Sequence, residues 1–95
     1  MNHRIDEMLE PGSKIGILGG GQLGRMLAVA ATRLGFKSHI FEPAKNSPAS
    51  QVSFQVSTAS YEDEKALIEF AKDVDVITYE FENIPTSALD ILEKI

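Results

Sequence analysis

The chain has 95 residues, a formal net charge of −5 and no cysteine. This length supports one domain with a modest core, and 43% hydrophobic with 24% charged residues is typical of a globular protein. The negative charge disfavours nucleic acid as a partner, no apolar run approaches the roughly 20 residues that span a bilayer, and the lack of cysteine excludes disulfides and thiol chemistry. We therefore expect a cytoplasmic protein that binds neither nucleic acid nor membrane.

Residues 1–13 form a lead-in that Pro11 and Gly12 end, and we assign it no role. The first element with a clear pattern, an apolar run, follows it. The run at Lys14–Leu18 predicts a buried first strand. We therefore divide the chain into a lead-in, 1–13, and one nucleotide-fold domain, 14–95.

Glycines follow the first strand directly, four of them within six residues. Gly19, Gly21 and Gly24 have the G-x-G-x-x-G spacing, which permits a sharp turn, a close approach of the backbone to a ligand and tight packing of the next helix on its strand. Unpaired N–H groups at the start of that helix offer a site for an anion or a polar oxygen. The spacing indicates the fold more strongly than the ligand.

The residues after the glycines have helical periodicity. Gly35 stands where a left-handed C-cap is expected. We predict that the helix packs on a sheet through one apolar stripe, which consists of Leu23, Leu27, Ala30 and Leu34, widened by Met26 and Ala31.

Two further strands are predicted next. The second is Ser38–Glu42, because Pro43 has no N–H to give to a parallel ladder. Residues 44–50 have the composition of a loop. Alternating apolar side chains then predict a third strand at Gln51–Val56.

The last part of the chain continues the alternation of helix and strand. Ser60 and Asp63 resemble a capping box at the start of a second helix. A fourth strand is predicted at Val74–Tyr79, residues 80–85 form a loop, and a third helix begins near Thr86. The apolar face of the second helix consists of Ala66, Leu67, Phe70, Ala71 and Val74.

This order of elements predicts an α/β fold of the Rossmann-like type. Right-handed crossovers give a parallel sheet of about four strands with helices on both faces, and the precedent of doubly wound sheets gives the strand order 3-2-1-4. In such sheets a ligand binds outside the carboxyl ends of the strands, where the direction of winding reverses. The loops at 19–24 and 80–85 flank that point.

Three polar side chains in these loops are candidates for ligand contact. Gln22 stands in the first turn of the first helix, where its amide can donate and accept hydrogen bonds, or it is merely an exposed helix residue. Glu80 and Glu82 point the same way if the chain is extended, and a carboxylate there can accept hydrogen bonds from ribose hydroxyls. The alternative is that one acid caps the third helix and the other is solvated.

Other chemistries fit the sequence less well. Arg25 and Met26 replace the Lys-Ser/Thr pair of a P-loop. His39 is an isolated histidine within a strand, which we interpret as packed or edge-exposed. No nucleophile elbow or metal-ligand spacing is present, so we expect neither a catalytic group nor a metal site in this chain.

Two segments carry a resemblance to a known family. They are GQLGRM at residues 21–26 and YEFENIP at residues 79–85, and Glu42-Pro43 and Ser47-Pro48-Ala49 lie between them. Together they resemble the N-terminal domain of the 5-(carboxyamino)imidazole ribonucleotide synthases, members of the ATP-grasp superfamily. The resemblance covers residues 14 to about 86. The acid before Pro43 is often aspartate in that family.

The resemblance implies a reaction that the residues alone do not. ATP and bicarbonate form carboxyphosphate, whose carboxyl group passes to the amine of aminoimidazole ribonucleotide in purine biosynthesis. ATP and Mg²⁺ are held by regions that this chain does not contain, so we expect the chain alone to be inactive. The matching substrate-binding positions are Gly21, Gln22, Leu23, Glu80 and Glu82. The family also suggests a homodimer.

Two alternatives remain open at this point. A NAD(P)-binding dehydrogenase domain is supported by the glycine spacing and by Glu42, whose carboxylate would hold the adenosine ribose. Glu42→Ala should then abolish binding, whereas in a synthase it should be nearly silent. A non-catalytic interaction module gains support only from the short chain.

Overall fold

The computed structural model describes residues 10–79 and 84–93. Within them the chain alternates strands and helices, as the pattern predicted. The elements are β1 Lys14–Leu18, α1 Gln22–Arg33, β2 Lys37–Glu42, a 3-10 helix Pro48–Gln51, β3 Gln55–Thr58, α2 Glu64–Asp73, β4 Val76–Tyr79 and α3 Thr86–Glu93.

The four strands form one sheet in the order β3-β2-β1-β4. Every neighbouring pair is parallel, so the predicted order is confirmed. Leu18, the last residue of β1, pairs with Phe41 on one side and with Tyr79 on the other. The carboxyl ends of β1 and β4 therefore lie side by side at the point where winding reverses.

Helices cover both faces of the sheet, as predicted. One face carries α1 and the 3-10 helix, whose Ala28, Ala31 and Ala49 pack on Ile17 and Ile40. The other face carries α2 and α3. There the core consists of Leu18, Phe41, Leu67, Phe70, Ala88 and Leu92. Apolar side chains thus point to both sides of β1 and β2, as expected of strands buried on both faces.

The apolar stripe predicted for α1 is only partly confirmed: Leu27 and Ala31 pack on the core, but the other members of the stripe are rotated away from the sheet. Leu23, Met26 and Leu34 are 47%, 66% and 71% exposed. The buried positions of α1 are small residues, Gly24, Ala28 and Ala31. Small side chains let the helix backbone approach the sheet closely, so size rather than hydrophobicity decides which face of α1 is inside.

The predicted bounds of the third strand are also wrong. The segment that was predicted to be its first half instead completes the 3-10 helix and a turn, in which Ser50 Oγ donates to the Ser47 carbonyl and Ser53 Oγ donates to the Ala49 carbonyl. β3 begins only at Gln55. These local side-chain bonds compete with the strand ladder, and the alternation of apolar residues did not reveal them.

The starts of α2 and β4 differ from the prediction by a few residues. Asp63, not Ser60, is the N-cap of α2, and its Oδ1 accepts from Ala66 N at 3.0 Å. The Ser60 hydroxyl oxygen instead accepts from Glu62 N at 3.0 Å and forms the preceding turn. β4 begins at Val76 rather than at Val74.

The lead-in meets the domain at the amino end of the sheet. Gly12 N donates to the Gly35 carbonyl at 2.8 Å, and Lys37 N donates to the Ser13 carbonyl at 2.9 Å. The rest of the lead-in, residues 1–9, lies outside the described residues. None of the helices in the described part of the chain has the length and apolar character that crossing a bilayer requires.

Candidate functional site

The glycine turn joins β1 to α1 through one residue in the left-handed region. Gly19 has φ 106°, which favours glycine, and its N–H donates to the Phe41 carbonyl at 2.9 Å. Gly21 is the N-cap of α1 and has no side chain to cap the helix. Its carbonyl accepts the first intrahelical bond, from Arg25 N at 2.9 Å. The turn therefore leaves the helix start open for a ligand.

The residues that follow the N-cap face solvent beyond the carboxyl end of β1. Gln22 and Leu23 are exposed, and Gly21 is half-buried. Within the described residues, no side-chain or backbone acceptor takes up the N–H of Gln22 or Leu23. Such donors at a helix start attract an anion or a polar oxygen. The structure thus brings together Gly21, Gln22 and Leu23, which the sequence predicted to bind substrate.

The other two predicted residues, Glu80 and Glu82, lie outside the described residues. The last described residue before them is Tyr79, which pairs with Leu18 immediately before the glycine turn. The chain leaves β4 at this point, beside the turn.

Glu42 has a different role from the one that the dinucleotide alternative required. Its Oε1 accepts from Gly20 N at 2.8 Å, and its Oε2 accepts from Ala44 N at 2.9 Å. Both carboxylate oxygens are therefore bonded to the chain's own backbone. In a dinucleotide site the acid at this strand end accepts hydrogen bonds from ribose hydroxyls. Here that acid instead holds the glycine turn.

The loop after β2 also contacts the glycine turn, at Gly20. Ala49 N donates to the Gly20 carbonyl at 2.9 Å. A Cβ at Gly20 would stand 2.6 Å from Ser47 Oγ and 2.8 Å from Glu42 Cγ, so no side chain fits there. The motif Ser47-Pro48-Ala49 therefore packs against the turn and leaves room only for glycine.

Arg25 strengthens the connection between α1 and this loop. Its Nη1 donates to Gln51 Oε1 at 2.9 Å and to the Pro48 carbonyl at 3.4 Å. The guanidinium that stands where a P-loop has its lysine is thus directed at the 3-10 helix. Arg25 therefore forms its hydrogen bonds within the domain.

A second polar cluster lies at the opposite, amino end of β1. His39 is buried, its Nδ1 lies 2.8 Å from Asp73 Oδ2, and its Nε2 lies 2.7 Å from Ser57 Oγ. Asp73 Oδ1 also accepts from Lys14 Nζ at 2.8 Å. His39 was interpreted as packed or edge-exposed, and the structure shows it packed. Its ring meets Phe70 edge-on at 4.8 Å.

The electrostatics of this cluster are dominated by burial and by Lys14. Burial lowers the pKa of His39 from its ordinary 6.5, although the hydrogen bond and charge of Asp73 act in the other direction. The Lys14 hydrogen bond lowers the pKa of Asp73 from 3.8. With Asp73 ionised, the Nδ1–H of neutral His39 donates to it and Nε2 accepts from Ser57. Each of these polar groups therefore has a partner within the cluster.

The cluster borders a cavity of about 440 Å³ between β3 and α2. Among the described residues, no three His, Cys, Asp or Glu side chains converge in a way that could hold a metal ion. The polar groups of the cluster beside this cavity are bonded to one another, whereas open backbone donors are found at the glycine turn. The turn is therefore the candidate site.

The sequence did not reveal the role of Glu42 or of Ser47. The available signals were the acid at the end of a predicted strand and the Ser-Pro-Ala motif after it. Neither signal could show that both residues face Gly20, because that contact depends on how β1 and β2 are paired.

Comparisons with known proteins agree with this geometry. The family model of the ribonucleotide synthetase preATP-grasp domain matches residues 12–95. The chain is 60% identical over 86 residues to the N5-carboxyaminoimidazole ribonucleotide synthase of Brucella melitensis, an alignment that covers 90% of this chain and 24% of that protein. The chain thus spans about a quarter of the length of that relative.

Solved structures give the same result. A crystal structure of an N5-carboxyaminoimidazole ribonucleotide synthetase in complex with ADP is 50% identical, with a TM-score of 0.86 over 95% of this chain and 24% of that one. An Aspergillus clavatus synthase in complex with ADP and 5-aminoimidazole ribonucleotide is 41% identical, with a TM-score of 0.74 over 88% of this chain and 23% of that one. The dehydrogenase alternative finds no support in these matches. With its glycine turn, its strand order and these matches, the chain belongs to the ribonucleotide synthetase preATP-grasp domain family.

Proposed function

We propose that this chain is the ribonucleotide-binding, amino-terminal region of an ATP-dependent synthase that makes N5-carboxyaminoimidazole ribonucleotide in purine biosynthesis. The observation that carries the proposal is 60% identity to a synthase of that name over 90% of the chain. The Aspergillus clavatus relative was crystallised with 5-aminoimidazole ribonucleotide and ADP. In this proposal residues 14–95 form the domain and residues 1–13 precede it.

The substrate site lies between the glycine turn and the loop after β4. The exposed N–H groups and amide at Gln22 and Leu23, together with Gly21, bind polar oxygens of the ribonucleotide. The proposal assigns to Glu80 and Glu82 the role of accepting hydrogen bonds from the ribose hydroxyls. Support for this pairing comes from Leu18 and Tyr79, which are partners in the sheet just before the two loops.

The reaction is a phosphoryl transfer followed by an acyl transfer. A bicarbonate oxygen takes the γ-phosphoryl group of ATP, which releases ADP and leaves carboxyphosphate. The amine of aminoimidazole ribonucleotide then attacks the carboxyl carbon, the C–O bond to phosphate breaks, and the amine loses a proton. The contribution of this chain is to bind and orient the ribonucleotide, which lowers the entropic cost of the second step.

Among the described residues, no group of three or more His, Asp or Glu side chains could hold a metal ion. In line with the family resemblance, we propose that Mg²⁺ and ATP are bound by parts of the synthase outside this chain. The proposal also includes a cytoplasmic location and a homodimer. Sedimentation of the complete synthase would test the dimer.

The experiment that tests the proposal uses a complete synthase with this chain as its amino-terminal region. Release of ADP should require both bicarbonate and aminoimidazole ribonucleotide. Glu80→Ala should raise the KM for the ribonucleotide about tenfold or more and leave the KM for ATP unchanged, because a hydrogen-bonded carboxylate is worth about 1.5–3 kcal/mol. Glu62→Ala, at an exposed acid, is the matched control. A normal ribonucleotide KM in the Glu80 variant would remove Glu80 from the site.

A further inference from the structure

The residue before the helix N-cap, Gly20, is held on three sides. Glu42 Oε1 accepts its N–H at 2.8 Å, Ala49 N donates to its carbonyl at 2.9 Å, and Ser47 Oγ occupies the space that a Cβ at Gly20 would need. Gly20 belongs to neither β1 nor α1, so no helix or sheet ladder fixes its peptide groups. Its position depends on the loop that follows β2.

Glu42 is the centre of this arrangement. It lies half-buried at the end of β2, and its second oxygen accepts from Ala44 N at 2.9 Å. One carboxylate thus joins the glycine turn to the first residues of the loop after β2 by two charge-assisted hydrogen bonds, which are stronger than neutral ones. Arg25 Nη1 closes the far side of the same loop through Gln51.

Ser47 sets the distance between the loop after β2 and the glycine turn. Its side-chain oxygen is buried and has no hydrogen-bond partner among the described residues. The contact with Gly20 is therefore one of shape. Any side chain at Gly20, even a single methyl group, would push the turn away from both Ser47 and Glu42.

The two residues after Gly20 are Gly21 and Gln22, where the ligand-binding donors begin. A turn that is ordered before binding loses less conformational entropy when the ligand arrives. We propose that Glu42 is a positioning residue for the ribonucleotide: it holds Gly20 so that the N–H groups at Gln22 and Leu23 are presented in the geometry that binds the substrate. This inference rests on the proposed function of the turn. It replaces the sequence-based expectation that a change at Glu42 is nearly silent in a synthase, because the Glu42 carboxylate accepts from Gly20 N and Ala44 N.

The test compares three variants in the complete synthase. Glu42→Gln keeps the size of the side chain but replaces one acceptor oxygen with an NH₂ group, which cannot accept from Gly20 N or Ala44 N. We expect the KM for 5-aminoimidazole ribonucleotide to rise about tenfold, with kcat changed less than about threefold and the KM for ATP unchanged. Glu42→Asp retains the charge and should recover at least half of the lost affinity on a logarithmic scale. Glu62→Gln is the matched control and should behave as the unaltered enzyme.

Amide hydrogen exchange provides a readout that does not depend on turnover. Glu42→Ala removes both acceptor oxygens, and in this variant the N–H of Gly20 should exchange about tenfold faster or more than in the unaltered chain, while amides in the middle of β1 keep their protection. An unchanged KM, or unchanged exchange at Gly20, would overturn the positioning role. A parallel rise in the KM for ATP would do so too, since it would indicate general destabilisation. If the unaltered synthase fails to carboxylate the ribonucleotide, the proposed function fails, and exchange at Gly20 still decides whether Glu42 holds the turn.

Discussion

The two ends of the sheet show how polar groups can serve either a ligand or the fold. At the carboxyl end, Glu42 bonds to backbone groups and leaves the donors at Gln22 and Leu23 facing solvent. Towards the amino end, Asp73 binds Lys14 and His39, and His39 also binds Ser57. Side chains of ordinary catalytic types occupy the amino end, yet the open donors are at the glycine turn. Unfilled hydrogen-bonding capacity is therefore a better guide to a binding site here than residue type.

The largest expected effect comes from filling the space at Gly20. Gly20→Ala places a Cβ 2.6 Å from Ser47 Oγ and 2.8 Å from Glu42 Cγ, which are held in place by burial and by two hydrogen bonds. We expect the free energy of unfolding of the chain to fall by about 3 kcal/mol, the upper part of the range for overpacking. Urea denaturation measures it.

A second variant separates the two contacts. Gly20→Ala combined with Ser47→Gly removes the nearer clash and should recover part of the loss. If Gly20→Ala alone costs less than about 0.5 kcal/mol, a typical value for a surface substitution, the turn yields easily and the contrast between a fixed turn and open donors does not hold.

In the cluster of His39, Asp73 and Ser57, we expect a substitution to destabilise the fold by removing hydrogen bonds rather than by overpacking. Asp73→Ala leaves the buried His39 Nδ1–H and the Lys14 ammonium without their carboxylate. Because an unsatisfied buried donor costs about 1–3 kcal/mol, we expect a loss of about 2 kcal/mol in the free energy of unfolding, with no change in ribonucleotide KM in a complete synthase. Asp90→Ala, at an exposed helix position, is the control. A rise in that KM would show that the two ends are coupled.

The smallest effect is the dependence of stability on pH. The pKa of His39 is lowered in the folded chain, mainly by burial, from 6.5. The unfolded chain therefore binds a proton first as the pH falls below about 6.5, so the stability present above that pH decreases until the folded His39 is itself protonated. The lowered pKa of Asp73 adds a second loss, at pH values below 3.8.

Urea midpoints measured between pH 8 and pH 5 would detect the first of these losses. His39→Gln should flatten the change just below pH 6.5. The Glu62→Gln variant, which keeps both His39 and Asp73, should retain the change in urea midpoint. An unchanged pH profile in His39→Gln would assign the dependence to other groups.

The sequence predicted the elements that depend on local pattern. The apolar run predicted β1, the glycine spacing predicted the turn and the start of α1, and the precedent of doubly wound sheets predicted the order 3-2-1-4. The prediction was wrong where short-range signals competed, as in residues 51–54, whose apolar alternation suggested strand while serine hydroxyls bonded to nearby carbonyls. The predicted acids Glu80 and Glu82 lie outside the described residues and stay predictions.

The sequence by itself determined the turn and the helix that it begins, because glycine at Gly19 and the helical periodicity after Gly21 are local constraints. Only the tertiary structure decided which face of α1 is buried and what Glu42 bonds to. Glu42 and Gly20 lie 22 positions apart, and His39 and Asp73 lie 34 apart. Contacts at such separations exist only once the strands are paired, so no local pattern can encode them.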